Sequence, residues 1–426
     1  MITVVGLGRN KDDLTRRAEK AILSADVVFL RTALTETAQT LDELGVKYTS
    51  FDALYESAED FDALSSAIAD ALLAAESGDK SVCYCVDGSG AGDASVEALA
   101  AKVRFDLVPG VSATDGLAVG KGATSRALIS AYDFVKSPAV NRKLTTVISD
   151  LDGAFLASEV KLILADLVGD DAEVVFFDKS GERAIAVYEL DRQTYSYATG
   201  VIIPPAVLTE KSRFGFDDLI EILQRLRAED GCPWDREQTH QSIRKNLIEE
   251  AYELAEGIDE GDVDLIREET GDVLLQAAFH AEIGAEMGEF SVADVLSELC
   301  NKLITRHEHV FGDVHAASGE EALAVWENAK KKEKKTANAS EAVHKIARTL
   351  PALMRASKVV KIAAKDGVDG VRFDTSDMDK MLQEGRYADL LFAVVCTMRL
   401  NGQDAEEELA KRLGDLEKRI DQKYGV

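Results

Sequence analysis

The pattern of apolar and polar positions divides the chain into two regions with different secondary structure. In the first two hundred residues, short apolar runs alternate with stretches of helical period. Four runs have the length and the β-branched or aromatic content of buried strands, namely residues 2–5, 27–30, 82–86 and 103–108. A helix is predicted from about Asp13 to Leu23. Strands that alternate with helices predict an α/β domain over residues 1–206.

Beyond the double proline at 204–205 the period becomes helical. Two adjacent prolines stop helix and strand alike, so we assign residues 207–213 to a linker. The amphipathic run Phe216–Arg227 opens an all-α region over residues 214–336, and residues 235–238 could start its next helix. Further helices are predicted to carry Lys302 and Trp326. The chain is therefore predicted to be multidomain, with an α/β domain followed by an all-α bundle.

Composition excludes several classes of protein. The net charge of −28 argues against binding to nucleic acid polymers or to anionic membranes. No apolar run approaches the length of a membrane span, and no signal peptide precedes the first strand. The five cysteines lack the spacing of a zinc site and are typical of a reduced, cytoplasmic protein.

Two acidic pairs in the helical region are the strongest candidates for chemistry. Glu250 and Glu253 form one pair, and Glu269 and Asp272 form the other. Residues at i and i+3 share one side of a helix, and the break at 257–262 predicts an antiparallel hairpin that brings the pairs together. In both helices the pairs border the apolar stripe, so we expect the site to be half-buried. Glu249 and Glu268 could orient water, although their phase points outward.

Clustered carboxylates repel each other unless a cation joins them. Oxygen ligands suit Mg²⁺ or Mn²⁺, and Mg²⁺ commonly shares its coordination with substrate phosphates. The pairs therefore predict a site for phosphate transfer or hydrolysis at which all four carboxylates bind metal. The alternative is a solvated acidic face, because acidic residues number 77 in this chain.

Glycine-rich turns follow the predicted strands of the first domain. The sequences V-V-G-L-G (4–8), A-D-V-V-F-L-R-T (25–32), the loop after Val86 and V-P-G-V-S-A (108–113) together resemble the tetrapyrrole methylase family. The resemblance implies binding of S-adenosylmethionine, with Gly88, Ser89 and Ser112 as the candidate cofactor residues. The chain departs from the family at Gly88-Ser89-Gly90, where a proline-bearing loop is usual. A scaffold or regulatory domain remains the alternative.

The helical region is similar to the MazG family. The order G-C-P-W-D-x-x-Q-T-H-x-S, E-E-A-Y-E, E-x-G-D-V-L-L-Q, R-H-x-H-V-F-G-D and V-W-E-x-x-K carries the resemblance, and Glu308 departs from a usual proline. It implies a homodimer whose site lies within the dimer and which cleaves nucleoside triphosphates to monophosphate and pyrophosphate with Mg²⁺. The implied metal ligands are Glu250, Glu253, Glu269 and Asp272. Candidate substrate-binding residues are Trp234, Asn246, Lys302, Arg306 and Trp326.

Residues 337–426 resemble a decayed second copy of the same domain. The run Ala388–Phe392 matches the second acidic helix, but Arg386 stands where its first glutamate would be. We therefore expect no metal there, and a role in helical packing or dimerisation.

The favoured function is Mg²⁺-dependent hydrolysis of nucleoside triphosphates, which would clear excess or noncanonical nucleotides. The rival is an S-adenosylmethionine-dependent methyltransferase that acts on a tetrapyrrole or another small molecule, with the helical part accessory. A third reading is a regulatory scaffold in which both sites are silent. The Lys330 to Lys335 run is expected to be a solvated helix end.

Overall fold

The computed structural model describes residues 1–76, 80–112, 125–196, 198–333 and 338–425. The chain packs as two compact units, Met1–Phe279 and His280–Val426, each of which is described by itself. No described helix is both long enough and apolar enough to span a bilayer. The predicted boundaries at 207–213 and 336–337 stay predictions.

The first unit begins with a parallel sheet of five strands in the order β3-β2-β4-β1-β5. The strands are β1 (Ile2–Gly6), β2 (Val27–Leu30), β3 (Thr49–Ser50), β4 (Val82–Val86) and β5 (Asp106–Val108). The helices are α1 (Arg16–Leu23), α2 (Ala38–Glu43), α3 (Asp52–Ser57), α4 (Phe61–Ala75) and α5 (Ala94–Ala100). Tyr84 of β4 packs into the core that α4 completes, and Cys83 and Cys85 face the core under α1. Helices on both faces explain the unbroken apolar run of β4.

A second sheet of five strands follows, in the order β6-β7-β10-β8-β9. Its strands are β6 (Arg126–Ser130), β7 (Thr145–Ser149), β8 (Glu173–Asp178), β9 (Gly181–Ala186) and β10 (Gly200–Ile203), and its helices are α6 (Ala131–Lys136) and α7 (Ala154–Val168). Only β6 and β7 pair in parallel. The α/β domain is confirmed, although the sequence did not locate this second, mixed sheet.

Two predicted boundaries in the first domain were too early. The helix expected from Asp13 begins at Arg16, because Thr15 Oγ1 accepts the backbone N–H of Ala18 and caps it there. The strand expected over 103–108 is confined to Asp106–Val108, the residues that pair with β1.

The segment assigned to a linker contacts both the helical region, through Lys211, and the first domain, through Ser212. Lys211 Nζ is 2.6 Å from Asp218 Oδ1, and its side chain is almost fully buried. Ser212 Oγ donates to the carbonyl of Val168 at the end of α7, over 3.0 Å. These contacts fix the direction in which the chain enters the helical region.

The helical part of the first unit contains α8 (Phe216–Arg227), α9 (Pro233–Glu237) and α10 (Arg244–Glu260), followed by α11 (Val263–Glu286), which continues into the second unit. Residues 235–237 lie in the next helix, but that helix is the short α9, which begins two residues before the predicted start because Pro233 occupies its first turn. The break between the acidic helices is only Gly261-Asp262. Gly261 has φ +70°, and Asp262 Oδ1 caps α11 by accepting from the N–H groups of Asp264 and Leu265.

The second unit is helical throughout its described residues. After the end of α11, its helices are α12 (Val292–Arg306), α13 (Glu308–Phe311), α14 (Gly319–Glu333), α15 (Ala339–His344), α16 (Ala352–Lys365), α17 (Thr375–Gln383), α18 (Tyr387–Leu400) and α19 (Ala405–Tyr424). Val360 of α16 and Cys396 of α18 are fully buried against each other and Val371. The predicted helices that carry Lys302 and Trp326 are α12 and α14.

A close approach of three turns at the carboxyl edge of the first sheet yields a stability prediction. A Cβ atom on Gly110 would lie 2.4 Å from the carbonyl oxygens of both Gly6 and Gly88, so these turns must separate to admit it. We expect Gly110→Ala to lower the free energy of unfolding of the first domain by about 1–3 kcal/mol, the usual cost of overpacking. Urea unfolding followed by far-ultraviolet circular dichroism measures this.

Gly153→Ala is the matched control, because no atom lies within 4 Å of its Cβ position. Both tryptophans lie beyond residue 233, so tryptophan fluorescence reports the helical region alone and should change little in either variant. Equal unfolding midpoints for the two variants would contradict the predicted close approach.

Candidate metal centre

The hairpin of α10 and α11 brings three of the four predicted carboxylates into one group. One carboxylate oxygen each from Glu250, Glu253 and Glu269 lies within 4.8 Å of the others. Glu250 and Glu253 are neighbours because they stand at i and i+3 on α10. Glu269 reaches them because the two-residue turn at Gly261-Asp262 folds α11 back along α10, where Gly257 packs against Ile266.

Glu269 lies deepest in this group. Its side chain is only 8% exposed, and its Oε2 is buried without a hydrogen-bond partner. Glu250 is half-buried and Glu253 is exposed, so the group opens to solvent on one side. In the described part of the chain, no lysine or arginine forms an ion pair with any of the three. A buried carboxylate oxygen without a donor is costly, and a cation would relieve that cost.

Asp272 stands one turn beyond Glu269 and is half-buried. It does not belong to the group of three, but its charge acts on two members of the group. Burial raises the pKa of Glu250, and so do a hydrogen bond that its protonated carboxyl group donates to Glu253 and the charges of Asp272, Glu253 and Glu269. Burial also raises the pKa of Glu269, together with the charges of Glu253, Asp272 and Glu268. The clustered carboxylates therefore give this part of the hairpin a strongly negative potential.

The donor set fits a hard divalent cation, because every candidate ligand is a carboxylate oxygen. Glu249 and Glu268 are exposed, as their outward phase predicted. The apolar residues that border the carboxylates on α10 and α11 are only partly buried. Ile243 is buried, but Ile258 and Leu274 are about half exposed, because nothing in the described chain packs over that face of the hairpin.

Two further candidates lie in the first unit, one on α10 and one on α9. Asn246 is half-buried on α10 and precedes Glu250 by four residues, so the two side chains share one helix face. Trp234 lies on α9 and is largely exposed. Its backbone carbonyl accepts a hydrogen bond from Gln238 Nε2, which closes the short helix.

In the second unit, Arg306 and Trp326 lie side by side. Arg306 is buried, and its Nε donates to Glu333 Oε2 over 2.8 Å. The guanidinium carbon is 5.6 Å from the centre of the Trp326 ring, and Lys330 Nζ is 4.3 Å from it. Lys302 is half-buried one turn before Arg306 on the same face of α12.

The sequence missed two members of this cluster. Lys330 was assigned to a solvated helix end, but it is half-buried against Trp326, because four residues of helix place it on the same face of α14. Glu333 was not singled out at all. Residues 334 and 335 of the basic run lie outside the described residues.

The candidate cofactor residues of the first domain lie where the turns after β1, β4 and β5 meet. Gly8 and Gly88 exchange two backbone hydrogen bonds of 3.0 and 2.8 Å, and the N–H of Gly110 donates to Ser89 over 3.3 Å. Ser112 ends the described part of the third turn, and Ala113 lies outside it. Three turns at the carboxyl ends of parallel strands form the kind of edge at which α/β proteins bind ligands.

Charged residues lie beside these turns, and the sequence analysis did not single them out. Asp87 accepts hydrogen bonds from the hydroxyls of Thr35 and Thr37, and burial raises the pKa of its carboxyl group. Arg31, on the segment after β2, forms a 3.0 Å ion pair with Asp93. Residues so distant in sequence meet only because the parallel strands end at one edge.

Two family models match this chain. Residues 1–181 match the tetrapyrrole (corrin/porphyrin) methylases, and residues 238–311 match the MazG nucleotide pyrophosphohydrolase domain. The chain is 35% identical to the uncharacterized protein YabN of Bacillus subtilis over 84% of its own length and 76% of that protein. It is 40% identical to the nucleoside triphosphate pyrophosphohydrolase/pyrophosphatase MazG of Thermotoga maritima over 46% of its own length and 80% of that protein.

Among solved structures, the chain is similar to the uroporphyrin-III C-methyl transferase from Thermus thermophilus complexed with S-adenyl homocysteine. That alignment covers 47% of this chain and 96% of the other, with 16% sequence identity and a TM-score of 0.35.

The raised pKa values predict an unusual dependence of stability on pH. A carboxyl whose folded pKa exceeds its unfolded value binds more protons in the folded state, so its contribution to stability falls as pH rises from 4.5 through the folded pKa. In EDTA, Glu269→Gln should therefore raise the melting temperature at neutral pH and flatten its decline above pH 4.5. In the parent chain, millimolar Mg²⁺ should raise the melting temperature, and in the variant it should do so less. Calorimetry at several pH values tests this.

The control is Glu256→Gln, which neutralises an exposed carboxylate on α10 outside the group. A melting temperature that rises equally in both variants would assign the effect to the general negative charge of the chain rather than to the site.

Proposed function

We propose, from the premise that this chain belongs to the MazG family of nucleotide pyrophosphohydrolases, that it hydrolyses nucleoside triphosphates to nucleoside monophosphate and pyrophosphate with Mg²⁺. The chain is a hydrolase of this family with a tetrapyrrole methylase domain before the helical region. The Mg²⁺ requirement, the products and a role in clearing excess or noncanonical nucleotides belong to the proposal.

The observation that carries the proposal is the carboxylate group on the α10–α11 hairpin. Glu250, Glu253 and Glu269 converge, and one buried oxygen of Glu269 has no hydrogen-bond partner. Three carboxylates that repel each other, one of them with a buried oxygen that accepts no hydrogen bond, destabilise the hairpin. A bound divalent cation would offset both costs. Asp272, close enough to act on both pKa values, completes the proposed set.

The chemistry needs charge neutralisation more than covalent catalysis. A triphosphate carries about four negative charges, and cleavage spreads further charge over its oxygens. Bound Mg²⁺ would offset that charge and lower the pKa of the attacking water. In the proposed roles, the four carboxylates hold the metal, and Asn246 stands beside them on α10.

In the proposed reaction, the oxygen of a water molecule bonds to the α-phosphorus. The bond from the α-phosphorus to the oxygen that bridges the α- and β-phosphates breaks, and pyrophosphate leaves.

The cluster on α12 and α14 supplies the proposed contacts to substrate. Lys302 and Arg306 share a helix face and present cationic donors suited to phosphate oxygens. The guanidinium of Arg306 is already oriented for binding phosphate, because it contacts Glu333 and the Trp326 ring. Trp326 and the exposed Trp234 offer aromatic faces on which a base could stack.

A homodimer is part of the proposal. Several large apolar side chains of the helical region are exposed in the single chain: Ile248, Tyr252, Ile258, Leu274, Leu296, Leu299 and Leu303. Contiguous exposed apolar surface on a soluble helix favours a protein interface. A second copy would cover these faces, in agreement with the dimer that the family resemblance implies.

The second candidate function is S-adenosylmethionine-dependent methyl transfer by the first domain. It is favoured by the match of residues 1–181 and by the convergence of the turns that contain Gly88, Ser89 and Ser112. Isothermal titration calorimetry of the full chain with S-adenosylmethionine tests it. Heat of binding that disappears in Gly110→Ala would support a cofactor site in these turns, and no binding would leave the domain a scaffold.

The leading proposal predicts that pyrophosphate is released from nucleoside triphosphates only when Mg²⁺ is present. Glu250→Ala removes one proposed metal ligand, so we expect turnover to fall by roughly 100-fold or more. A coupled pyrophosphate assay over a panel of triphosphates measures this and gives the base preference.

Glu256→Ala is the control on the same helix and should keep the parent rate. Circular dichroism establishes that both variants are folded. Metal-independent release, or a Glu250→Ala rate equal to that of the control, would refute the assignment of this carboxylate group as the active site.

A further inference from the structure

The last helix of the described chain, α19, is attached to its unit only at its beginning. Asp404 caps the helix by accepting from the N–H groups of Glu406 and Glu407, and Ala405 is buried. Glu406 Oε2 accepts a hydrogen bond from the N–H of Met354 on α16, over 3.3 Å. From Leu409 to Tyr424 every residue is exposed except Gly414, which is half-buried. About four turns of helix therefore project without cover from the described chain.

These turns carry an apolar stripe with the spacing of a coiled coil. Leu409, Leu413, Leu416 and Ile420 follow one another at intervals of 4, 3 and 4 residues, and they are 49, 52, 52 and 48% exposed. An isolated helix of this length is marginal in water, because helices in proteins gain most of their stability by packing an amphipathic face. The stripe therefore requires a partner that the single chain does not supply.

We propose that α19 pairs with α19 of a second copy of this chain as a parallel, two-stranded coiled coil. The stripe places Leu409 and Leu416 at d positions, and Leu413 and Ile420 at a positions. Leucine at d with a β-branched residue at a, as at Ile420, favours two strands.

Charge complementarity selects the second copy and the parallel direction. In this register Arg412 occupies a g position and Glu417 the following e position. A parallel pair brings each Arg412 next to Glu417 of the other copy, twice per dimer. An antiparallel pair that buries the same stripe would bring g positions together, and Arg412 would then lie next to Arg419 of the other copy. Within one helix Arg412 contacts Asp415, at 3.3 Å, and Glu417 lies on a different side. The pairing surface is therefore self-complementary.

This inference does not depend on the hydrolase assignment. It concerns an element beyond the residues matched by the MazG family model, 238–311. It also differs from the proposed dimer face on α10, α11 and α12, because it requires contact between the two copies of α19 in one register.

Cysteine cross-linking of the full chain tests both the contact and its direction. The exposed Cys300 is first replaced by serine. In that background, Leu409→Cys and Leu416→Cys should each form a disulfide-linked dimer under mild oxidation, because equivalent d positions face each other in a parallel pair. Lys418→Cys, on the outward face of α19, is the matched control and should form little. Non-reducing electrophoresis measures the yield, and mass spectrometry identifies the linked peptides.

Four outcomes would overturn the proposal. Cross-linking at neither position means that another segment or another protein covers the stripe. Cross-linking at Leu416→Cys alone indicates an antiparallel pair centred there, and cross-linking at Leu409→Cys alone excludes a continuous paired stripe. An equal yield at Lys418→Cys indicates random collision.

A charge exchange tests the selection of partner. In the Leu416→Cys background, Arg412→Glu and Glu417→Arg should each lower the yield of linked dimer by roughly two- to fivefold at low salt, the range expected for exposed ion pairs. The double variant should restore the yield, because the pair is re-formed with its signs exchanged. If the yield of linked dimer in the double variant falls by as much as in the two single variants combined, the proposed contact between Arg412 and Glu417 is wrong.

Discussion

Acidic side chains repel each other on the α10–α11 hairpin, and the folded helical region must balance this repulsion. Three carboxylates meet and a fourth lies close enough to perturb them, so the folded chain holds a concentration of negative charge that the unfolded chain disperses. Such an arrangement persists only where something else stabilises it. A divalent cation is the simplest agent, and it links a local electrostatic cost to a capacity for phosphate chemistry.

Much of this site could be predicted from the sequence, because it depends on spacing. The i, i+3 pairs fixed which carboxylates share a helix face, and the glycine near residue 261 indicated where the chain turns back. The spacing of the four carboxylates could not predict which of them is most deeply buried. That Glu269 lies deepest, with one oxygen unpartnered, depends on how closely α11 packs against α10, which is a tertiary property.

The errors in the predicted fold have two physical origins, local helix ends and long-range strand pairing. The start of α1 moved to Arg16 because a hydroxyl cap at Thr15 overrode the apolar period, and residues 235–238 ended a separate short helix behind Pro233. The mixed second sheet escaped prediction because its strands pair across long connections. Lys330 was taken for a solvated residue because the basic run was interpreted as a whole, although its i, i+4 spacing from Trp326 places the two side chains on one helix face.

The last helices are predicted from the sequence to be a decayed second copy of this domain, and there an acidic side chain is paired within the chain. Arg386 stands at the position corresponding to Glu269, and its Nε lies 2.8 Å from Asp389 Oδ2, while Nη1 lies 3.3 Å from Glu384. The acidic residue that corresponds to Asp272 thus has a covalently attached cation as its neighbour. These exposed pairs add little stability, but they place a positive charge where Glu269 places a negative one. Glu269 has an orphaned oxygen and Arg386 has two carboxylate partners, and this difference is the physical reason to expect a metal at the first hairpin and none in the last helices.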